Sequence, residues 1–204
     1  MRDLVIDGNS LTIRDVVDTG LGLTKVVLSQ SARQKMTSSR QAITEILKNG
    51  TVTYGINTGF GALSSVSIES DKLEQLQANL IRSHACGIGE PMENSHTLMM
   101  MLIRANTLCR GNSGARPVIV DTLISMINHG VCPVIPRIGS LGASGDLAPL
   151  SHLALGMMGE GKCNVRIGTN EWALMSSNEA LSKSGIIPIV PAAKEGLSLI
   201  NGTS

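Results

Sequence analysis

Helical runs of aliphatic side chains that end at glycine are the feature that most constrains the fold of this chain. Apolar residues recur at helical spacing in four segments, residues 32–48, 71–84, 95–110 and 117–129. Gly50, Gly111 and Gly130 follow three of these segments, and glycine is the residue that most often ends a helix. A further helix is predicted to begin after Asp146 and to end near Gly159. The fold class predicted from these segments is mainly α, with short strands at residues 4–6 and 162–167.

The composition narrows the possible functions. The 204 residues carry a net charge of +1 and only three aromatic side chains, so neither a basic surface nor an aromatic platform for nucleic acid is expected. No apolar run approaches the roughly 20 residues that cross a membrane, and acidic residues interrupt the first eight positions, unlike a signal peptide. We therefore expect a cytoplasmic protein that binds neither nucleic acid nor a membrane. Charged residues make up only 16%, which suggests that part of the surface is covered in an assembly.

Four cysteines are spread along the chain without the spacing of a metal site. No C-x-x-C pair occurs, and no histidine pair stands near Cys86, Cys109, Cys132 or Cys163. We expect no metal and ordinary buried thiols.

The segment Gly139–Gly145 has three possible interpretations. It is a glycine-rich loop capped by Asp146, or it presents Ser144 as a nucleophile, although the G-x-S-x-G pattern is missing. In the third interpretation a compressed loop lets the nitrogen of Gly145 attack the carbonyl carbon of Ala143. Loss of one water from the ring and a second from Ser144 would leave an electrophilic methylene. The residues of this loop do not by themselves decide between the three interpretations.

Further segments carry a family resemblance. Residues 139–152, GSLGASGDLAPLSH, and residues 54–61, YGINTGFG, resemble the signature and the tyrosine loop of the histidine and aromatic amino-acid ammonia-lyases. The family pattern is also matched, in the same order, by SHA at residues 83–85, RAN at 104–106, GNSG at 111–114 and KEGLSLINGT at 194–203. The resemblance therefore extends over essentially the whole chain.

The resemblance implies a fold and a cofactor. Residues 1–204 are expected to form the helical N-terminal part of the L-aspartase-like fold, without the C-terminal helical-bundle half of the family. That half supplies a tyrosine and an arginine for the substrate carboxylate. In the family, the tripeptide corresponding to Ala143, Ser144 and Gly145 cyclises to 4-methylidene-imidazol-5-one (MIO), with no metal or external cofactor.

The resemblance also assigns roles to individual side chains. Tyr54 corresponds to the catalytic base, and because an ordinary tyrosine pKa is near 10, we expect the completed pocket to lower it or to supply a relay. Asn201 corresponds to a residue that positions the MIO or the substrate amine. His84 corresponds to the position that selects the substrate ring, where a histidine suits a polar ring. Arg116 and Asp146 receive no role at this stage.

The implied reaction is elimination of ammonia from L-histidine to give trans-urocanate, the first step of histidine degradation, in a homotetramer. Two alternatives stay open. One is a tyrosine or phenylalanine ammonia-lyase, or an aminomutase, that uses the same electrophile. The other is a catalytically inactive, truncated subunit that acts only by association with a complete partner.

Overall fold

The chain is mainly helical, as the glycine-terminated apolar segments predict. The computed structural model describes residues 1–59, 68–69, 72–142, 144–169 and 171–202. Within these ranges lie helices α1 (Ile13–Gly20), α2 (Gln30–Lys48), α3 (Leu73–His84), α4 (Asn94–Leu108), α5 (Pro117–His129), α6 (Leu147–Met157), α7 (Ser177–Lys183) and α8 (Glu195–Ile200).

Short strands join the helices in three small sheets. Strands β1 (Arg2–Ile6) and β2 (Thr24–Leu28) are parallel, and β3 (Ile88–Pro91) runs antiparallel to β5 (Pro136–Ile138). Strands β4 (Val131–Pro133), β6 (Lys162–Arg166) and β7 (Trp172–Ser176) form an antiparallel sheet in the order β4-β6-β7. The strands predicted at residues 4–6 and 162–167 are confirmed as β1 and β6. The other strands were not predicted, because each is short and lacks a clear alternation of apolar and polar residues.

Local sequence signals set several helix ends. α5 begins at Pro117, which suits the first helical position because it has no amide hydrogen to leave unpaired. It ends at Gly130, whose φ of 64° lies in the left-handed region that glycine adopts at low cost. α2 begins two residues earlier than predicted, because Ser29 caps it by accepting a hydrogen bond from the amide of Ala32.

The core is aliphatic and centres on α4, α5 and α6. It is built from side chains that are at least nine-tenths buried, among them Met101 and Leu102 of α4, Ile119 and Leu123 of α5, and Leu153 of α6. α4 packs between α1 and α5, while α3 contacts both α6 and α8. α4 and α6 each bury seven residues, so they form the interior against which the shorter elements pack.

Two local expectations are corrected, and one helix was missed. Helix α8 was not predicted, because its six residues are too few to show a helical period. Asp146 precedes α6 as predicted, but its side chain makes no capping hydrogen bond to that helix. Cys86 is exposed, whereas Cys109, Cys132 and Cys163 are buried as expected.

Among the described residues, no helix is both long and apolar enough to cross a membrane.

Asp15, in the first turn of α1, makes the free energy of unfolding depend on pH in the acidic range. The pKa of Asp15 is lowered to about 2, first because the hydroxyl of Thr12 donates a hydrogen bond to the carboxylate, and also because Arg2 does so. A carboxylate whose folded pKa lies below its usual value of 3.8 adds stability above that value. We expect this part of the free energy of unfolding to disappear as the pH falls from about 4 to about 2.

Urea unfolding across this pH range measures the effect in the original protein and in Asp15→Asn, which should show a weaker dependence. Asp18→Asn on the same helix is the matched control and should keep it. An unchanged pH dependence in Asp15→Asn would contradict the assignment.

Candidate active site

Two segments that are far apart in the sequence meet at Ser144. The hydroxyl of Ser144 donates a hydrogen bond to Oδ1 of Asn201 over 2.9 Å. The amide of Gly202 donates to the carbonyl oxygen of Ser144, also over 2.9 Å. The loop before α6 and the end of α8 are thus joined by one side-chain and one backbone hydrogen bond. Ser144 and Asn201, singled out separately in the sequence, are in direct contact.

Glycine makes this contact possible. An added Cβ on Gly145 would lie 2.4 Å from the Cα atom of Gly202, which is closer than real Cβ contacts. Gly145 also has a φ of 87°, in the left-handed region that favours glycine. Gly142 and Gly145 form an isolated antiparallel bridge, so the backbone reverses direction tightly around Ser144. Ala143 lies outside the described residues.

The side chain of Asp146 bonds to the loop and makes no capping hydrogen bond to α6. Its carboxylate accepts a hydrogen bond from the hydroxyl of Ser140, across the turn that contains Ser144. The negative charge is exposed and stands directly before the N-terminus of α6.

Tyr54 stands on a tight turn that packs against α8. The turn is fixed by Asn57, whose Oδ1 accepts from the amide of Thr53 and whose Nδ2 donates to the carbonyl of Thr51. A Cβ on Gly55 would lie 2.8 Å from Cδ2 of Leu197, so the backbone of this turn touches α8 one helical turn before Asn201. The Tyr54 side chain is 59% exposed.

His84 is the last residue of α3 and is half-buried. Its Nδ1 atom lies 2.9 Å from the carbonyl oxygen of Leu80. The hydroxyl oxygen of Ser83 lies 3.1 Å from the same nitrogen. In the tautomer in which Nδ1 donates to the Leu80 carbonyl, Nε2 is an acceptor for a group that binds beside the ring.

His152 connects the residues after His84 to helix α6. The amide of Gly87 donates to Nε2 of His152 over 3.0 Å. Burial lowers the pKa of His152, which favours the neutral ring that this bond requires. Gly87 also approaches Gly139, since a Cβ on Gly139 would lie 3.0 Å from the Cα atom of Gly87. The end of α3 is therefore packed against the base of the Ser144 loop.

Buried polar side chains that sequence reasoning left unassigned hold α8 in place. Oε1 of the fully buried Gln77 accepts from the amide of Gly196 over 2.8 Å, at the first turn of α8. The carboxylate of Glu195 has no exposed surface and forms an ion pair of 2.7 Å with Arg116. This contact raises the pKa of Arg116. A polar residue inside an apolar helical face, as Gln77 is in α3, is the sequence signal that could have pointed to such an anchor.

A small cavity adjoins the contact between the Ser144 loop and α8. It has a volume of about 210 Å³, and its lining includes Arg104 and Ile103 of α4 together with Gly145, Asp146 and Gly202. Arg104 is buried, and its guanidinium donates hydrogen bonds to the carbonyl oxygens of Ser198 and Asn201.

The described part of the chain brings together Ser144, Gly145 and Asn201, and it links the elements that carry Tyr54 and His84 to the same region. Within the described residues, no group of three or more histidine, cysteine, aspartate or glutamate side chains is arranged to hold a metal ion.

Comparison with known proteins identifies relatives of the chain. Residues 11–204 match the family described as aromatic amino acid lyase. The histidine ammonia-lyase of Alkaliphilus metalliredigens is 45% identical over 203 residues, which cover all of this chain and 39% of that protein.

Solved structures agree in fold. The crystal structure of histidine ammonia-lyase from Trypanosoma cruzi has a TM-score of 0.90 and 41% identity, covering all of this chain and 38% of that one. Tyrosine aminomutase from Streptomyces globisporus has a TM-score of 0.89 and 35% identity, with 98% of this chain and 37% of that one covered. The chain thus spans about two fifths of the length of these relatives.

The contact between Gly145 and Gly202 predicts a difference between two glycine substitutions. Gly142→Ala and Gly145→Ala both place a side chain at positive φ, which costs about 1–2 kcal/mol. No atom of the described residues lies within 4 Å of a Cβ on Gly142, whereas a Cβ on Gly145 would displace Gly202. We expect Gly145→Ala to lower the free energy of unfolding by at least about 1 kcal/mol more than Gly142→Ala. Urea unfolding of the two variants measures this, and equal losses would contradict the contact.

Proposed function

Because this chain belongs to the aromatic amino acid lyase family, we propose that it is the electrophile-bearing part of an enzyme that eliminates ammonia from L-histidine to give trans-urocanate. The relatives named above include two histidine ammonia-lyases, each matched over the whole of this chain. The chain spans 39% of the Alkaliphilus protein. We therefore propose that residues 1–204 correspond to the N-terminal domain and that a further helical half completes the enzyme.

The observation that carries the proposal is the contact of Ser144 with Asn201. A serine hydroxyl bonded to a side chain 57 positions away is fixed in orientation. The two glycines beside it, Gly145 and Gly202, bring the backbones together without intervening side chains. An ordinary surface loop requires neither feature.

The described residues fit the formation of MIO from Ala143, Ser144 and Gly145. Gly145 has no side chain of its own, and it forms a bridge with Gly142, so the backbones of these two residues lie close together. Ring closure joins the nitrogen of Gly145 to the carbonyl carbon of Ala143 with loss of water, and Ser144 loses its hydroxyl and α-proton as a second water. The resulting group supplies an electrophilic methylene carbon at the former Cβ of Ser144.

The remaining site residues act on the substrate. Tyr54 takes the β-proton as general base, and its exposed position on the turn beside α8 leaves room for a bound amino acid. Asn201 holds the end of α8 against Ser144 and positions the reacting amine. Nε2 of His84 accepts a hydrogen bond from the ring N–H of histidine, because Nδ1 is already bonded to the Leu80 carbonyl.

The resemblance supports a cytoplasmic homotetramer in which the substrate carboxylate is bound by residues outside this chain. Residues 1–204 alone would then hold the electrophile and the base but not the full binding site. A hydroxyl group on a tyrosine ring could also donate to His84, and the similarity to tyrosine aminomutase supports this second substrate class. Product analysis with histidine and tyrosine distinguishes the two.

The test uses a complete enzyme, in which residues 1–204 are fused to the remaining part of a histidine ammonia-lyase relative. We expect its intact mass to be about 36 Da below the encoded value, since cyclisation and dehydration remove two waters. Ser144→Ala should abolish both the mass loss and urocanate formation, as measured by mass spectrometry and absorbance.

Tyr54→Phe is the matched control, because it leaves the tripeptide intact. It should keep the mass loss but lower kcat by on the order of 10²-fold, which is typical for removal of a positioned proton-transfer group. An active enzyme with unmodified mass would overturn the role of Ser144. A complete enzyme with the mass loss but no turnover of histidine, tyrosine or phenylalanine would favour the inactive-subunit alternative.

Substitution of His84 tests the substrate assignment. In the complete enzyme, His84→Leu removes the acceptor that faces the substrate ring, so an imidazole N–H would lose its hydrogen bond. We expect the ratio of kcat/KM for histidine to that for phenylalanine to fall by about 10-fold or more. An unchanged ratio would show that His84 does not contact the substrate ring.

A further inference from the structure

Arg104 is a buried cation whose acceptors are backbone carbonyls. Only 4% of its surface is exposed, and burial lowers its pKa to about 10, which still leaves it charged at neutral pH. Among the described residues, no carboxylate lies within ion-pair distance of it. The guanidinium instead donates to the carbonyl oxygens of Ser198 and Asn201, the latter over 2.6 Å. Its Nε atom is buried without a hydrogen-bond partner in the described structure.

The two carbonyls belong to the end of α8. Carbonyl groups in the last turn of a helix have no partner within the helix and carry partial negative charge. Arg104 comes from the middle of α4, so it ties the central core helix to the point where α8 ends. The link fixes the backbone of Asn201 directly.

The same residue, Asn201, contacts the reactive loop through its side chain. Oδ1 of Asn201 accepts from the hydroxyl of Ser144, and the amide of Gly202 donates to the carbonyl of Ser144. In the unmodified chain, hydrogen bonds run without a break from Arg104 through Asn201 to Ser144. The hydroxyl of Ser144 would leave when the electrophile forms, whereas the carbonyl group of residue 144 would stay, so the contact that the amide of Gly202 makes with this carbonyl is the one that can hold the two segments together during turnover. Arg104 also lines the cavity beside Gly145 and Gly202.

We propose that Arg104 is a positioning residue, which acts through Asn201 to hold the end of α8 against the Ser144 loop. This inference rests on the proposed function, because Ser144 matters only if it supplies the electrophile. A displacement of about 1 Å at a reacting group costs on the order of 10²-fold in rate. The guanidinium contacts both carbonyls through its Nη2 atom, and charge-assisted hydrogen bonds to two acceptors limit such displacement better than a flexible neutral side chain does.

A purely structural helix cap predicts a different outcome. Loss of a cap would weaken the fold by the same amount whether or not residue 201 carries an amide side chain. A residue that acts through Asn201 loses most of its effect once that side chain is removed. The two roles are therefore separated by a double-mutant cycle.

The experiment measures kcat for urocanate formation in the complete enzyme and in Arg104→Met, Asn201→Ala and the double variant. We expect each single change to lower kcat by about 10- to 100-fold, and the double variant to lie within about 3-fold of the slower single variant. Arg104→Lys keeps the charge and should recover at least part of the loss. Arg33→Met is the matched control, since Arg33 pairs with Asp121 away from the site, and it should keep the original kcat.

Two results would overturn the inference. One is a double variant whose loss equals the product of the two single losses, and the other is an Arg104→Met enzyme with the original kcat. If Arg104→Met does not fold, the cycle uses Arg104→Lys in its place. The kcat of Arg104→Lys is then measured with and without Asn201→Ala, and a loss in the double variant equal to the product of the single losses again overturns the inference. A starting enzyme with neither the 36 Da loss nor urocanate would contradict the proposed function itself, whereas failure of the cycle in an active enzyme contradicts Arg104 alone.

Discussion

The arrangement around Ser144 depends on the buried carboxylate of Glu195. This carboxylate accepts hydrogen bonds from the amide of Arg116, from the Arg116 side chain and from the amide of Ala192. A six-residue helix has too few internal hydrogen bonds to be stable by itself. The ion pair therefore sets where α8 begins, and the position of Asn201 one and a half turns later follows from it.

This form of anchoring has an energetic cost that the fold offsets in several places. Taking the Glu195 carboxylate out of water costs several kcal/mol. Glu195 offsets this cost by accepting several hydrogen bonds and by pairing with Arg116, whose side chain is partly exposed, while Gln77 supplies a neutral acceptor to the next amides of α8. The helix is thus held by these polar contacts at its start and by the buried side chains of Leu199 and Ile200 in the core at its end.

The sequence was sufficient for the long elements and for the chemical types at the site, but not for the contacts between them. α5 followed directly from Pro117 and Gly130, since both act within one helical turn. Ser144 and Asn201 could be selected from their motifs, whereas their hydrogen bond joins positions 57 residues apart and no local pattern encodes it. Gln77 and Arg104 were missed as anchors because the sequence shows that a polar residue lies within an apolar helix but not which group of another segment it contacts. The roles of Tyr54 and His84 remain predictions.

The glycine pair at 145 and 202 restricts substitution at both positions. Two constraints require glycine at 145, its left-handed backbone and the close approach of Gly202. Gly202 has no positive φ, and the constraint on it is the Cα atom of Gly145, which would lie 2.7 Å from an added Cβ. Alanine at 202 is therefore excluded by a residue in another segment, not by local conformation. The two positions are therefore coupled: a side chain at 202 requires the Ser144 loop to move, and that movement would remove the contact that orients the serine.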